Sequence, residues 1–280
     1  MRYAEVIGDP IAQSKSPIIH EYWLEQLNLA GNYRRTLVPR AALTRFLEER
    51  RRDPNWLGCN VTIPHKERAA ALIDRIDPHS QAIGAVNCIV PDGPMLIGYN
   101  TDIDGIGAAL DSAEISGTRA VVIGAGGAAR AIVAYLAGRG VRSLSLLVRN
   151  PERAKSLKAL LPNEEMYILS LDRADEAFGD AAVIVNASPL GMTGADPMPI
   201  SILDALADKA GGKTIFDMVT TPAKTEFLAV GEAQGGRAID GLTMLVGQAR
   251  RAFELFFDVP APPEDQRLRD LLTTDRSNSG

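Results

Sequence analysis

Hydrophobic and polar positions along the chain fall into short blocks that alternate in period. Residues 2–7 (RYAEVI) read as a strand and residues 8–17 (GDPIAQSKSP) as a loop. Over 17–29 (PIIHEYWLEQLNL) apolar residues recur at helical spacing, and Pro17 suits a first turn. Strands are expected near 33–38 and 57–63, with a helix near 41–52 between them and another helix after Lys66. Within CNVTIPHKE (59–67), Val61 and Ile63 alternate with Asn60 and Thr62, as in a half-buried strand that Pro64 stops. GAVNCIV (84–90) and MLIGYN (95–100) flank PDGP, which is a hairpin signal.

The second half of the chain is more regular. A connecting helix is expected over 100–113, and RAVVI (119–123) is a short, almost wholly apolar strand. Strand-like segments recur at 143–148, 165–169, 182–187, 213–218 and 236–239, with helical segments between. That alternation predicts a doubly wound parallel sheet. An apolar helix over 242–257 and a further helix over about 263–273 close the chain. No internal repeat or low-complexity linker interrupts it.

A length of 280 residues suggests about two domains, and 46% hydrophobic with 23% charged residues is an ordinary globular balance. The net charge of -5 argues against a nucleic-acid surface. The basic cluster Arg50, Arg51 and Arg52 reads as the solvated face and end of a helix. Two cysteines, Cys59 and Cys88, fit neither a metal site nor a redox pair and suit a reducing cytoplasm. No apolar run approaches the roughly 20 residues of a membrane helix. The opening residues enter a strand at once, so no leader peptide is expected. Residues 275–280 are expected to form a frayed tail.

Gly124-Ala125-Gly126-Gly127-Ala128-Ala129 fits the G-x-G-x-x-G/A pattern, and it follows a strand and opens a helix. Gly124 permits the tight turn, Gly126 lets backbone approach a pyrophosphate, and the helix start offers free N–H groups. This is the signature of a Rossmann dinucleotide domain. At the end of the next strand, LLVRNPERAK (146–155) carries Arg149, Asn150 and Arg153 where an NAD site would carry an acid. Guanidinium groups bind a 2′-phosphate with directed hydrogen bonds, so the expected cofactor is NADP. In the first block, Ser14, Ser16, Asn60, Thr62, Lys66, Asn87 and Asp102 fall at expected strand ends and loops. Together they suggest a site for a small polyhydroxylated molecule.

These motifs resemble the shikimate dehydrogenase family over nearly the whole chain. SKSP (14–17), NVTIPHK (60–66), GAVN (84–87), NTD (100–102), GAGGAA (124–129), NASPLGM (186–192) and DGLTMLVGQA (240–249) match in order. The resemblance implies reversible NADPH reduction of 3-dehydroshikimate to shikimate, on the route to chorismate and aromatic amino acids. It implies a substrate domain over 1–103, rejoined by the helices of 240–274, with the NADP domain over 104–239 between. Ser14 and Ser16 would hold the substrate carboxylate, and Thr62, Asn87, Asp102 and Gln248 the ring hydroxyls. Lys66 and Asp102 would be the catalytic pair. Asn186, Ala187, Ser188 and the residues to Met192, with Met218, Gly241 and Met244, would line the nicotinamide side.

One position departs from the family. Where it reads Asp-x-Val-Tyr-Asn-Pro, this chain reads Asp217-Met218-Val219-Thr220-Thr221-Pro222. Thr220 thus stands where a tyrosine would help to hold the carboxylate. A paralogue acting on quinate or a related ring acid is the nearest alternative. A non-catalytic NADP-binding regulatory protein would be free to lose Lys66 or Asp102, and both are present. A folate-type dehydrogenase with a similar domain plan gives no reason for SKSP paired with NTD. The expected partner is the small-molecule substrate alone, with no nucleic acid and no membrane, for a monomer or homodimer.

Overall fold

The structure is a computed structural model that describes residues 1–274 apart from 82, 163 and 164. The expected tail over 275–280 lies outside the described residues. The chain divides into two compact units: one combines residues 1–104 with the chain from 246 onward, and the other comprises 105–245.

The first unit holds a mixed six-stranded sheet. Its strands are β1 (Tyr3–Gly8), β2 (Asn32–Leu37), β3 (Trp56–Val61), β4 (Arg75–Ile76), β5 (Cys88–Asp92) and β6 (Met95–Tyr99). Their order is β2-β1-β3-β5-β6-β4. β1 runs parallel to β2 and β3, whereas β5 is antiparallel to β3 and to β6. The β5–β6 hairpin turns at Gly93, whose φ of +59° suits a residue without Cβ. Helix Ser16–Gln26 starts at SKSP and stops before Asn28, which has φ +50°.

Burial in this unit corrects two expectations. β3 is a central strand covered on both faces, so all six residues from Trp56 to Val61 are buried and no alternation survives. Ile63, expected inside, is 72% exposed. The chain leaves the ladder there and enters a turn closed by the His65 N–H to the Thr62 carbonyl at 2.9 Å. Nor is Arg50 a solvated charge. Its Nε lies 2.7 Å from Oε1 of Glu5, which β1 buries completely. A buried carboxylate left alone would be costly, and Arg50 and the Thr36 hydroxyl satisfy it. Arg51 reaches Asp74 at 2.7 Å and so joins the helix end to the segment before β4. Cys59 and Cys88 are both free and buried.

The second unit is a six-stranded, wholly parallel sheet. It contains β7 (Arg119–Ile123), β8 (Ser143–Leu147), β9 (Glu165–Leu169), β10 (Ala181–Asn186), β11 (Thr214–Asp217) and β12 (Arg237–Ile239) in the order β12-β11-β10-β7-β8-β9. Strand β7 sits between β8 and β10 and feeds both faces of the core. Ala120 and Val122 join one apolar cluster with Ile132 and Leu146, and Val121 and Ile123 join another with Ile184 and Phe227. Continuous apolar strands are what such double coverage requires. This is the Rossmann arrangement that the alternation predicted.

Candidate active site

The polar residues singled out in the first block gather at one edge of its sheet, and the strand directions explain why. Strand β3 ends at Val61, and antiparallel β5 begins beside that end, with Cys88 opposite Asn60. Strand β6 runs back to the same edge, with Tyr99 opposite Cys88. Residues just after β3, just before β5 and just after β6 therefore meet, which brings together NVTIPHK, GAVN and NTD.

Asn87 is the hub. Its Nδ2 donates to Asp102 Oδ1 at 2.8 Å and to Thr101 Oγ1 at 3.1 Å. Its Oδ1 accepts the Thr101 N–H at 2.7 Å, and its carbonyl accepts from Asn60 Nδ2 at 3.2 Å. The other carboxylate oxygen of Asp102 lies 2.6 Å from the Lys66 ammonium. Asp102 is buried, and the Lys66 side chain keeps only 19% of its exposure. A charged hydrogen bond this sheltered from water fixes the ammonium in place. Thr101 carries the network to Gln248, its hydroxyl lying 3.4 Å from Oε1. Asn60 Oδ1 accepts from the buried Tyr33 hydroxyl at 2.6 Å, and Ser16 bonds Tyr33 in turn. Ser14 is tied in differently: its Oγ faces the Ser16 N–H at 3.4 Å, and its carbonyl accepts two bonds from Arg35. Thr62 is half-buried, and its N–H bonds the Ile7 carbonyl at 2.9 Å.

In the second unit the glycine turn borders a cavity of about 300 Å³. Gly124, Ala125 and Gly126 form one wall, Arg149, Asn150 and Arg153 another, and Ala187 to Leu190 a third. Gly124 has φ +111°, and a Cβ there would stand 3.0 Å from the Ala187 carbonyl oxygen. A Cβ at Gly126 would meet no protein atom within 4 Å, so the backbone is open to a ligand there. Helix Gly127–Gly138 has no side-chain cap. Its first N–H groups and its dipole are therefore available to an anion. Donors, clearance and guanidinium groups fit a dinucleotide with a 2′-phosphate. Arg149 is not a bare cation, since its Nη1 lies 3.0 Å from Asp196 Oδ2. The Asn150 side chain caps helix Pro151–Lys155 by accepting from the Glu152 N–H.

Comparison with known proteins agrees with this geometry. The shikimate dehydrogenase substrate binding domain matches residues 6–89, the shikimate / quinate 5-dehydrogenase domain 108–190, and the shikimate 5′-dehydrogenase C-terminal domain 241–265. The NADP(+) shikimate dehydrogenase of Sphingopyxis alaskensis is 45% identical over 274 residues, covering 96% of each chain. The chain belongs to the shikimate dehydrogenase family. The Thermus thermophilus enzyme, solved in complex with NADP(H) and shikimate, superposes with a TM-score of 0.81 at 33% identity, covering 98% of each chain. The Listeria monocytogenes enzyme, solved with shikimate and NAD, gives a TM-score of 0.86 at 26% identity over 97% of this chain and 96% of that one.

Not every position that the family resemblance singled out borders the cavity. Met192 is 42% exposed, while Met218 and Met244 pack with the apolar cluster of the second unit. Gly241 is a close-approach position, where a Cβ would come 2.4 Å from the Val219 carbonyl oxygen. Asn186 is fully buried and shapes the loop after β10, accepting from Ser188 and donating to the Leu190 carbonyl. Its Nδ2 also donates to Asp217 Oδ1 at 2.9 Å. Thr220 is half-buried in the segment after β11.

Four residues that shape the candidate site or its loops escaped the sequence reading. Tyr33 and Thr101 read as ordinary strand and loop residues, yet each links two site residues. Asp217 is fully buried, accepts from Asn186, the Val219 N–H and Thr225, and has its carboxyl pushed up to about 6 by burial. Asp196 pairs with Arg149 across 47 residues of chain, and nothing local marks it. The NTD motif offered a signal for Thr101 alone.

Proposed function

We propose that this protein catalyses the reversible NADPH-dependent reduction of 3-dehydroshikimate to shikimate. The observation that carries the reading is the Lys66–Asp102 pair, held at 2.6 Å and oriented by Asn87. NADPH, when bound, supplies a hydride to the ring ketone. Negative charge then develops on the ketone oxygen, and Lys66 stabilises it and delivers the proton that makes the alcohol. In the oxidative direction the same amine takes that proton back. Asp102 keeps the ammonium aimed and accepts from a ring hydroxyl.

Around this pair, Asn60, Thr62, Asn87 and Gln248 present paired donors and acceptors to the other hydroxyls, and Ser14 and Ser16 receive the carboxylate. Gly124 to Ala129 cradle the pyrophosphate, Arg149, Asn150 and Arg153 take the 2′-phosphate end, and Asn186 to Met192 with Met218, Gly241 and Met244 form the nicotinamide end. Residues 1–103 with 240–274 act as the substrate domain and residues 104–239 as the NADP domain. The enzyme works in the cytoplasm as a monomer or homodimer; its buried free cysteines suit that compartment. Among the described residues no helix is long and apolar enough to cross a membrane.

A second reading, quinate or a related ring acid as substrate, rests on Thr220, where the family resemblance implies a tyrosine that helps to hold the carboxylate. One assay separates the two: NADP⁺ or NAD⁺ with shikimate or quinate, followed by absorbance of the reduced cofactor. Turnover of shikimate with NADP⁺ as the best pair supports the proposal, and preference for quinate or no turnover rejects it.

A further inference from the structure

The structure assigns to Asp196 a role in cofactor choice: we propose that its carboxylate competes with the 2′-phosphate of NADP for Arg149 and so narrows the preference for NADP over NAD. The proposal rests on the reading of Arg149 as the 2′-phosphate ligand. The two side chains lie 3.0 Å apart. They belong to the loops after β8 and β10, the two neighbours of β7 in the sheet. The glycine turn follows β7, so the ion pair joins the loops that flank that turn on either side. Arg149 and residues 187–190 of the Asp196 loop line the same cavity.

Asp196 is held in a built turn. Its carbonyl accepts the Gly191 N–H at 2.9 Å, and the Ala195 N–H bonds the Met192 carbonyl at 2.9 Å. Gly191 and Gly194 both have φ +81°, which lets the loop fold back on itself. Thr193 anchors the same loop to the Thr221 carbonyl at 2.9 Å. The carboxylate is therefore delivered to Arg149 by an anchored segment.

An acid at this place treats the two cofactors differently. The adenosine ribose of NAD carries a 2′-hydroxyl, which can donate to a carboxylate without disturbing the Arg149 pair. NADP carries a phosphate with nearly two negative charges, which needs the guanidinium and repels the acid. NADP must displace Asp196 from Arg149, whereas NAD need not. In many NAD sites the discriminating acid ends the second strand of the domain. Here an arginine follows that strand by two residues, and the acid comes from the loop after β10.

The test is isothermal titration of NADP⁺ and NAD⁺ into the wild type, Asp196→Asn, Arg149→Ala and the double variant. Asparagine keeps the shape and the backbone bonds of the loop and removes only the charge. Asp196→Asn should tighten NADP⁺ roughly 3- to 10-fold, the scale of releasing an exposed ion pair and one nearby like charge. NAD⁺ should stay within about twofold, and in the Arg149→Ala background the gain should shrink to the part that comes from like-charge repulsion alone. If Arg149→Ala weakens NADP⁺ selectively but Asp196→Asn leaves it unchanged, or tightens both cofactors alike, the competition is refuted while the 2′-phosphate reading stands. A gain undiminished without Arg149 also refutes competition for that residue. If Arg149→Ala affects both cofactors equally, the 2′-phosphate reading fails and this inference falls with it.

Discussion

Lys66 Nζ and Asp102 Oδ2 are 2.6 Å apart, in a place where Asn87 holds the other carboxylate oxygen. The ammonium is thus oriented by a chain of two fixed side chains. Lys66→Ala should lower kcat by roughly 10²–10⁴ and leave shikimate binding within several-fold, the usual loss when a positioned proton donor is removed. Steady-state kinetics across pH check this. A variant that keeps near wild-type turnover at every pH would show that Lys66 moves no proton.

Arg149 lines the cavity beside the glycine turn. Arg149→Ala should weaken NADP⁺ far more than NAD⁺, by about 1.5–3 kcal/mol or roughly 10- to 150-fold, because a charged hydrogen bond is lost. Arg153, on the same wall, should recover part of it. Dissociation constants for both cofactors decide the matter, and equal losses would count against a 2′-phosphate contact.

By the family resemblance, Thr220 stands where a tyrosine is expected. Thr220→Tyr should lower KM for shikimate several-fold, since a hydrogen bond to a charged group contributes about 1.5–3 kcal/mol, of which a bridging water can replace only part. NADP⁺ preference should not change. Kinetics of both proteins on shikimate and quinate test this, and loss of activity in the tyrosine variant would favour the quinate reading.

Asp217 gives a stability signature. Burial raises its carboxyl from 3.8 to about 6, so the folded protein binds this proton more tightly than the unfolded chain. Stability from this group is therefore fully present below about pH 4 and is lost as pH rises to about 6, by at most about 3 kcal/mol. Asparagine can accept from Asn186 and Val219 and bond Thr225 while staying neutral. Asp217→Asn should raise Tm relative to wild type at pH 7.5 and lose that advantage near pH 4. A constant Tm difference across this range would contradict the shift.

The parallel sheet of the second unit was legible because each strand is a short apolar run punctuated by a glycine turn or helix. β7 and β9 fall where the pattern places them, at 119–123 and 165–169. The first unit was harder to read. Strand β4 is two residues long and carries no periodicity. Segment 84–87 looked like strand, but Gly84 has φ +68° and Asn87 turns its side chain to the site, so β5 begins only at Cys88. Ile63 misled because alternation says nothing about where the ladder stops. Arg50 misled because its partner, Glu5, lies 45 residues earlier. The candidate site was legible where the chemistry sits in contiguous motifs. Tyr33 and Asp196 act through partners distant in the chain, and Asp217 through Asn186 as well as its own loop, so the folded arrangement reveals them, whereas Thr101 had the NTD motif as a signal.

The division of the first unit between the two ends of the chain has a consequence for the order of assembly during synthesis. Residues 105–245 are contiguous and hold their whole sheet and both apolar clusters, so they can fold as soon as they emerge. Residues 1–104 emerge earlier but must wait. One of their apolar clusters is complete without the last helices, but the other lacks Ala252 and Phe256 until those arrive, and His20, stacked on Tyr33, lacks Phe253 beside it. Gln248, the far end of the Asn87–Thr101 relay, comes with the same segment. Lys15 of SKSP then ties to the Leu272 carbonyl. A nascent chain thus completes its nucleotide-holding part before its ring-holding part, and one cut short before residue 246 has the first without the second.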